Sequence, residues 1–326
     1  MALLVRSFQQ FENSQIKYAP LLKIYLETLA CPFRSKTMIN WPDSLVDELA
    51  SRRCVIFIGS GASASAKKRN GENDISPPTW AGLLKLLLER SPEDAIGSKV
   101  NAEALLEKQN YLDCAEIIRT TCLPRAEYNR CITQTFSGYE STGVHKAVEI
   151  LDQKVVITTN FDTLYESLCR QGQGRDGYSV IRYYDDGLVA RMRSPTRLII
   201  KAHGCISEPE KTILTKSDFF NARSKYFGFF EALESIFLTH TILFIGYSVN
   251  DPEIQLILEN NIITYPSANP HYATMSSGSH PSILAAFKNT NNIDVLEYNP
   301  ENDHVDLLDS LNNLCDLVEE RRSLHT

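Results

Sequence analysis

Residues 54–63 read CVIFIGSGAS, and this stretch decides the fold. Its first half is a continuous apolar run, which is typical of a strand buried on both faces of a parallel sheet. The run leads directly into the loop Gly59-Ser60-Gly61-Ala62-Ser63. A glycine pair at a turn from strand to helix lets the backbone approach a ligand closely and present N–H groups to it. The stretch by itself leaves two interpretations open: a nucleotide diphosphate site, or a tight turn with a structural role only.

Similar apolar runs recur along the chain, with helical patterns between them. They lie at residues 155–157, 198–200 and 242–245, and residues 293–298 are a fifth candidate strand. Strands that alternate with helices predict an α/β protein with a Rossmann-like, doubly wound parallel sheet. Residues 101–150 show helical patterns without a strand, so we expect a small helical module inserted at about residues 84–150.

Polar side chains follow the second and third of these runs at the point where each predicted strand ends. Asn160 and Asp162 follow one strand, and His203 with Gly204 follows the next. Ligands of open α/β sheets bind beyond the carboxyl ends of the strands, so these side chains are expected to face the same crevice as the glycine loop. Asp162 is equally well explained as a helix cap, and residues Thr163 to Glu166 also offer a capping box. His203 stands where a general base would be mounted, although a lone histidine is often structural.

The fourth predicted strand ends in Gly246, Tyr247 and Ser248, followed by Asp251 and Pro252. The aspartate–proline pair predicts the N-cap and first residue of a helix, which makes Asp251 mainly structural. Gly246 and Ser248 remain candidates to receive a phosphate or ribose hydroxyl groups.

Charge and cysteine usage exclude several classes of protein. The chain has 326 residues, with 33 Lys and Arg against 40 Asp and Glu, so its formal net charge is −7. An acidic chain is a poor candidate for direct nucleic-acid binding, because phosphate contacts need a basic face. No apolar run approaches the ~20 residues of a membrane span, and the N-terminus lacks a signal core, so we expect a cytoplasmic protein without membrane contact. The eight cysteines form no CxxC pair, which argues against a metal site of the zinc-ribbon kind.

The first 38 residues are predicted to form a helical arm ahead of the main domain, and residues 321–326 a short tail. The arm is apolar and basic, whereas the rest of the chain is acidic. This opposition favours docking on an acidic surface, and we expect a homo-oligomer that the arm helps to form. The alternative is an arm that packs on its own subunit.

The order of the motifs carries more information than any one of them. The chain resembles the sirtuin-like family as built into bacterial antiviral defence proteins. Four motifs carry the resemblance, in this order: GSGAS, TTNFD, KAHG, and GYS followed by Asp251. The resemblance covers roughly residues 40–320, and we expect the NAD-binding domain at residues 39–320. It implies NAD+ as substrate and no metal, with His203 as the base and Asn160 orienting the nicotinamide ribose or the attacking water. It implies that the remaining site residues bind NAD+: Gly59, Ser60, Gly61, Ala62, Ser63, Asp162, Gly246, Tyr247, Ser248 and Asp251, with Asp162 on the nicotinamide carboxamide.

Departures from the protein-deacylating sirtuins direct the prediction toward NAD+ hydrolysis. Those enzymes resemble this chain in the glycine loop and the His-Gly pair, but they carry a four-cysteine zinc module and a loop that shape the peptide groove, and this chain shows neither. We therefore predict an NAD+ hydrolase that serves antiviral defence by NAD+ depletion. The alternatives are an NAD-dependent protein deacylase and a catalytically quiet nucleotide-binding assembly subunit. The resemblance also implies a separate sensor or activator protein, such as a helicase-like ATPase or an Argonaute-like subunit.

Overall fold

The structure is a computed structural model that describes residues 38–70, 73–171, 177–266 and 268–324. The predicted N-terminal arm therefore lies outside the described residues, except for Met38. The predicted tail falls partly within them, because the last helix runs to Ser323.

A parallel sheet forms the centre of the described residues. Seven strands pair in the order β5-β6-β4-β1-β7-β8-β9, and every pairing is parallel. A short antiparallel hairpin, β2-β3, stands apart from it. The strands are β1 Cys54–Ile58, β2 Lys68–Asn70, β3 Asn73–Ile75, β4 Val155–Thr158, β5 Ser179–Arg182, β6 Leu198–Lys201, β7 Thr241–Ile245, β8 His271–Ser276 and β9 Ile293–Tyr298.

Helices cover both faces of this sheet, and each face has its own core. Along β1, Ile56 packs with one core and Phe57 with the other, because successive side chains of a strand point to opposite faces. The predicted α/β, Rossmann-like fold is confirmed. The helices are α1 Asp43–Ala50, α2 Trp80–Glu89, α3 Ile96–Glu107, α4 Tyr111–Ile117, α5 Arg125–Phe136, α6 Gly143–Leu151, α7 Leu164–Gln171, α8 Leu188–Arg193, α9 Lys216–Lys225, α10 Phe227–Thr239, α11 Pro252–Thr264, α12 Pro281–Asn291 and α13 Glu301–Ser323.

Helices α2 to α5 enclose a third core, separate from the two cores on the sheet faces. Leu84 of α2, Cys114 of α4 and Ile132 of α5 are fully buried in it. Thr79 caps α2 as its sequence suggests, since its side chain accepts the main-chain N–H of Gly82 at 3.2 Å. Cysteines in the described residues are free and mostly buried, as expected of small apolar side chains.

Two strands of the sheet were not predicted. β5 lies at the edge of the sheet and is mostly half-buried, so it lacks the continuous apolar run of a central strand. β8 begins with a histidine and alternates apolar with hydroxyl residues. The continuous apolar runs therefore identify the four most buried strands, which are β1, β4, β6 and β7.

Candidate active site

The register of the central strands brings the predicted site residues to one edge. Ile58 of β1 pairs with Thr158 of β4 on one side and with Ile245 of β7 on the other. Thr158 in turn pairs with Lys201 of β6. The four loops that leave the sheet after these residues therefore start level with one another, at its carboxyl edge. This is the edge at which open α/β proteins bind their ligands.

Glycines let two of these loops touch. The main-chain N–H of Gly61 donates to the carbonyl oxygen of Gly246 at 2.8 Å. A Cβ atom on Gly61 would lie 2.8 Å from that oxygen, and one on Gly59 or Gly246 would overlap backbone atoms of the facing loop. Gly246 also has a φ of +61°, in the left-handed region that favours glycine. We name this contact between Gly59, Gly61 and Gly246 the glycine seam.

The loop after β1 uses several of its N–H groups within the protein. Gly59 donates to the carbonyl of Ile245 at 3.0 Å, and Ala62 donates to that of Gly59 at 3.1 Å within a short 3₁₀ turn, Ser60–Ser63. The N–H groups of Gly59, Gly61 and Ala62 are thus already bonded within the protein. Ser60 and Gly61 are exposed and remain the parts of the loop that a ligand can reach.

Asn160 is held by the first loop through its side-chain amide. Its Nδ2 donates to the carbonyl of Gly59 at 3.0 Å and to Oγ of Ser63 at 3.3 Å. Because Nδ2 faces these acceptors, Oδ1 is the amide atom left to accept a hydrogen bond. None of the described residues donates to Oδ1. The structure thus orients Asn160 with a free acceptor at the carboxyl edge.

Asp162 is a buried hub of the same network. Its Oδ2 accepts from Oγ of Ser63 at 3.0 Å, and its Oδ1 accepts the main-chain N–H of Leu164 at 3.1 Å. The second bond confirms that Asp162 satisfies the start of α7. The predicted capping partner, Glu166, is placed elsewhere, so the capping box is wrong. Binding of the nicotinamide carboxamide by Asp162 stays a prediction.

A buried lysine that sequence reasoning did not single out lies beneath these loops. Lys201 ends β6, and its side chain is 0% exposed. Its Nζ pairs with Oε1 of Glu166 at 2.7 Å and also donates to the main-chain carbonyl of Asp162. The ammonium therefore ties the loop after β4, which carries Asn160, to the strand that leads to His203. The signal was a charged residue at the end of an apolar strand.

His203 bonds to an aspartate that is distant in sequence. Its Nε2 lies 2.9 Å from Oδ2 of Asp251, and both side chains are about nine-tenths buried. The ring edge also meets Phe219 of α9, with 5.2 Å between ring centres. In the sheet, β4 and β1 separate β6 from β7. The loop from Gly246 to Asp251 therefore reaches across the ends of two strands to meet His203.

Asp251 also caps α11, as predicted. Its Oδ1 accepts the main-chain N–H groups of Glu253 at 3.0 Å and Ile254 at 3.2 Å. Burial raises the pKa of the Asp251 carboxyl, but the charge and hydrogen bond of His203, together with the two main-chain bonds, outweigh burial and leave this pKa below its usual value. Asp251 is therefore an ionised carboxylate facing the imidazole.

The loop between β7 and α11 combines buried and exposed residues. Tyr247 packs its ring on Phe57 and Phe244, with 4.6 Å and 5.6 Å between ring centres, so its side chain belongs to the core. A contact between Tyr247 and a ligand could come only from its backbone. Ser248 is exposed, and Val249 is buried with a φ of +56°, a strained conformation for a β-branched residue. Strain of this kind clusters at functional sites.

A family model matches the part of the chain that carries β4 to β8, whereas β1 and the glycine loop lie before the matched range. A family model described as a SIR2-like domain matches residues 154–296. The matched range includes Asn160, His203 and Asp251. This part of the chain is therefore similar to a SIR2-like domain, and the resemblance predicted from the motifs is confirmed.

The named relatives that the chain resembles include NAD(+) hydrolases and a defense-associated sirtuin. It is 26% identical over 212 residues to the NAD(+) hydrolase ThsA of Bacillus cereus (strain MSX-D12), a match that covers 65% of this chain and 40% of the relative. It is 26% identical over 221 residues to the NAD(+) hydrolase ThsA of Acinetobacter baumannii (strain 532279), covering 66% and 40%. It is 27% identical over 219 residues to defense-associated sirtuin 2 of Bacillus subtilis, covering 63% and 19%. The matched part thus spans less than half of each relative.

Two features are absent from the part of the chain that the structure describes. No group of three or more His, Cys, Asp or Glu side chains there is arranged to hold a metal ion. Among the helices of that part of the chain, none has both the length and the apolar character of a bilayer crossing.

Proposed function

We propose that this chain is an NAD+ hydrolase that cleaves NAD+ into nicotinamide and ADP-ribose. The observation that supports it most directly is the placement of Asn160 and His203. Each stands two residues beyond a paired strand end, Thr158 and Lys201, on neighbouring strands of the sheet. Neighbouring strands lie about 4.8 Å apart, so the two side chains leave the sheet side by side. The relatives named NAD(+) hydrolase support the same activity.

Exposed backbone and hydroxyl groups would hold the substrate. Ser60 and Gly61 are open on one side of the glycine seam, and Ser248 is open on the other. A diphosphate at this junction would meet the exposed hydroxyl groups of Ser60 and Ser248, which can donate hydrogen bonds to it. The seam gives this surface a fixed shape, because the two loops are bonded to each other.

Hydrolysis of NAD+ requires the protein to position the ribose and a water molecule and to supply a base. The bond from C1′ of the ribose to the nicotinamide nitrogen breaks, its electron pair goes to the pyridine ring, and nicotinamide leaves as a neutral group. The ribose becomes oxocarbenium-like in the transition state, as in glycoside hydrolysis. A water oxygen then bonds to C1′, and its proton goes to the imidazole of His203. The free Oδ1 of Asn160 accepts a hydrogen bond from the water or from a ribose hydroxyl.

In the cell, this activity would serve antiviral defence by removing NAD+. The family relationship to a defense-associated sirtuin supports that role. We further propose that the chain forms a homo-oligomer and that a separate sensor or activator protein, such as a helicase-like ATPase or an Argonaute-like subunit, controls it. A hydrolase of an essential cofactor has to be held inactive until it is needed.

Nicotinamide release from NAD+ by the purified full chain tests the activity. We expect Asn160→Ala to lose turnover but to bind NAD+ with an affinity close to that of the wild type, because the diphosphate surface lies on other loops. Binding is measured by calorimetry and turnover by chromatography of nicotinamide. Asp43→Ala, the same truncation to alanine at a side chain that is 90% exposed, is the control.

Two outcomes would contradict the proposal. One is a wild-type chain that does not bind NAD+. The other is nicotinamide release that appears only with an acyl-lysine peptide and yields the deacylated peptide, which would support the deacylase instead.

A further inference from the structure

The two oxygens of Asp251 bond to different partners. Oδ1 accepts the N–H groups of Glu253 and Ile254 at the start of α11, and Oδ2 faces Nε2 of His203 at 2.9 Å. The helix bonds fix the orientation of the carboxylate group, because one oxygen has to accept the two main-chain N–H groups and the other then faces the histidine. Asp251 is further held by its helix, since Glu253 pairs with Arg223 of α9. Asp251 thus presents one fixed acceptor to His203.

That acceptor determines where the neutral imidazole carries its proton. An ionised carboxylate only accepts hydrogen bonds, so Nε2 of His203 must be the donor. In a neutral imidazole with its proton on Nε2, the lone pair is on Nδ1. No residue in the described ranges hydrogen-bonds to Nδ1. The nitrogen able to take a proton is therefore Nδ1, on the opposite side of the ring from Asp251.

We propose that Asp251 is a positioning residue that holds His203 in its Nε2–H tautomer and makes Nδ1 the proton acceptor of the reaction. This rests on the proposed NAD+ hydrolysis for its kinetic part only. When Nδ1 takes the proton from water, the imidazolium bonds to the carboxylate through Nε2–H, so the charge that forms is balanced by Asp251. The sequence suggested a cap and a cofactor ligand at this position, and the geometry adds a partner for the base.

The proposal predicts an unusual order of severity for two substitutions. In Asp251→Asn, the amide oxygen continues to cap α11, so Nδ2 takes the place of Oδ2 and donates to Nε2. His203 is then forced into the Nδ1–H tautomer, which cannot accept a proton at Nδ1. In Asp251→Ser, the hydroxyl caps the helix but is too short to reach His203, which leaves the ring free to adopt either tautomer. The isosteric change should therefore be more harmful than the truncating one.

Kinetics of the full chain test this order. We expect kcat for nicotinamide release to fall by ~10²–10⁴ in Asp251→Asn, the range for losing a general base, and by a smaller factor in Asp251→Ser. KM should change little in both, because neither variant alters the diphosphate surface. Both variants keep a good N-cap, so melting temperatures should stay close to that of the wild type. Asp251→Ser as the slower enzyme, or equal losses in both, would overturn the proposal.

A spectroscopic experiment is independent of any activity. In ¹⁵N-histidine-labelled protein at pH 8, the ring nitrogen shifts of His203, assigned by comparison with His203→Gln, should report Nε2–H in the wild type and Nδ1–H in Asp251→Asn. An Nδ1–H wild-type ring would overturn the proposal even in a chain that hydrolyses NAD+. An Nε2–H ring in a chain without NAD+ hydrolysis would instead contradict the proposed function and leave the role of Asp251 standing.

Discussion

Two buried histidines stand at opposite ends of the parallel sheet and differ in their partners. His203 follows β6 at the carboxyl edge, with a carboxylate 2.9 Å from its Nε2. His271 begins β8 at the amino edge, and its Nδ1 accepts the main-chain N–H of Ile242 at 3.1 Å. Burial lowers the pKa of His271 to about 4, so this ring stays neutral at ordinary pH. The comparison teaches that similar burial does not give two histidines the same role, because the group that faces the ring is a carboxylate at one edge and a main-chain N–H at the other.

Removing His203 should have the largest effect. We expect His203→Ala to lower nicotinamide release by ~10²–10⁴ while the fold is retained, because a general base is lost and the Asp251 cap remains. His271→Asn should keep most of the activity, since its side chain lies at the other end of the sheet. Chromatography of nicotinamide and circular dichroism of both variants check this. Comparable losses in the two variants would remove the distinction between the two edges.

Lys201→Met should cause the second largest effect, on stability. The change leaves the Glu166 carboxylate buried without its partner, which costs about 3–5 kcal/mol of the free energy of unfolding. The double variant Lys201→Met/Glu166→Leu should recover most of this loss. Urea unfolding measures the free energy of unfolding of the single and the double variant.

A matched lysine at the amino edge provides the control. Nζ of Lys154 donates to one main-chain carbonyl, that of Met192, so Lys154→Met should cost about 1 kcal/mol. A double variant as unstable as Lys201→Met would mean that packing of the lysine stem, and not the buried charge, is what the fold depends on.

The acid sensitivity of the fold should carry a contribution from His271. The unfolded ring binds a proton near pH 6.5, whereas the folded ring does so only near pH 4. The neutral His271 ring therefore contributes about 3 kcal/mol to the free energy of unfolding above pH 6.5. This contribution is lost as the pH falls from 6.5 toward 4, because the unfolded ring binds a proton and the folded ring does not. His271→Asn, whose amide oxygen can accept the N–H of Ile242, should flatten that part of the curve. Urea unfolding between pH 7.5 and 4.5 measures it, and an unchanged slope would contradict the prediction.

A substitution in the glycine seam should cause the smallest loss of stability. Gly246→Ala introduces a methyl group that overlaps the facing loop, at a cost of about 1–3 kcal/mol. Gly278 also has a positive φ, +109°, but an added Cβ there meets nothing within 4 Å. Gly278→Ala thus measures only the free-energy cost of placing an alanine at a positive φ. Thermal unfolding should show a lower melting temperature for Gly246→Ala than for Gly278→Ala. Equal losses would mean that conformation alone, without loop contact, requires the glycine.

Much of the fold and part of the site could be predicted from local patterns. The run at residues 54–58 became β1 without change, and the predicted cap at Asp251 is confirmed. These features depend on neighbours in sequence, since strands, turns and caps form over a few residues. The edge strand β5 was missed because it buries too little apolar surface to show the pattern of a central strand.

The sequence by itself determined the parallel sheet, the order of its motifs and the placement of Asn160 and His203 at strand ends. Only the tertiary structure decided what bonds to them. Lys201 pairs with Glu166. The glycine seam joins two loops through Gly59 and Gly246, which are 187 residues apart in sequence. Asp251 lies on a loop that reaches across the ends of two strands to His203. Such contacts depend on strand order and register, which place residues side by side that are far apart along the chain. A local pattern reports the short-range preferences of the backbone, whereas the partner of a buried charge is set by where the whole fold brings it.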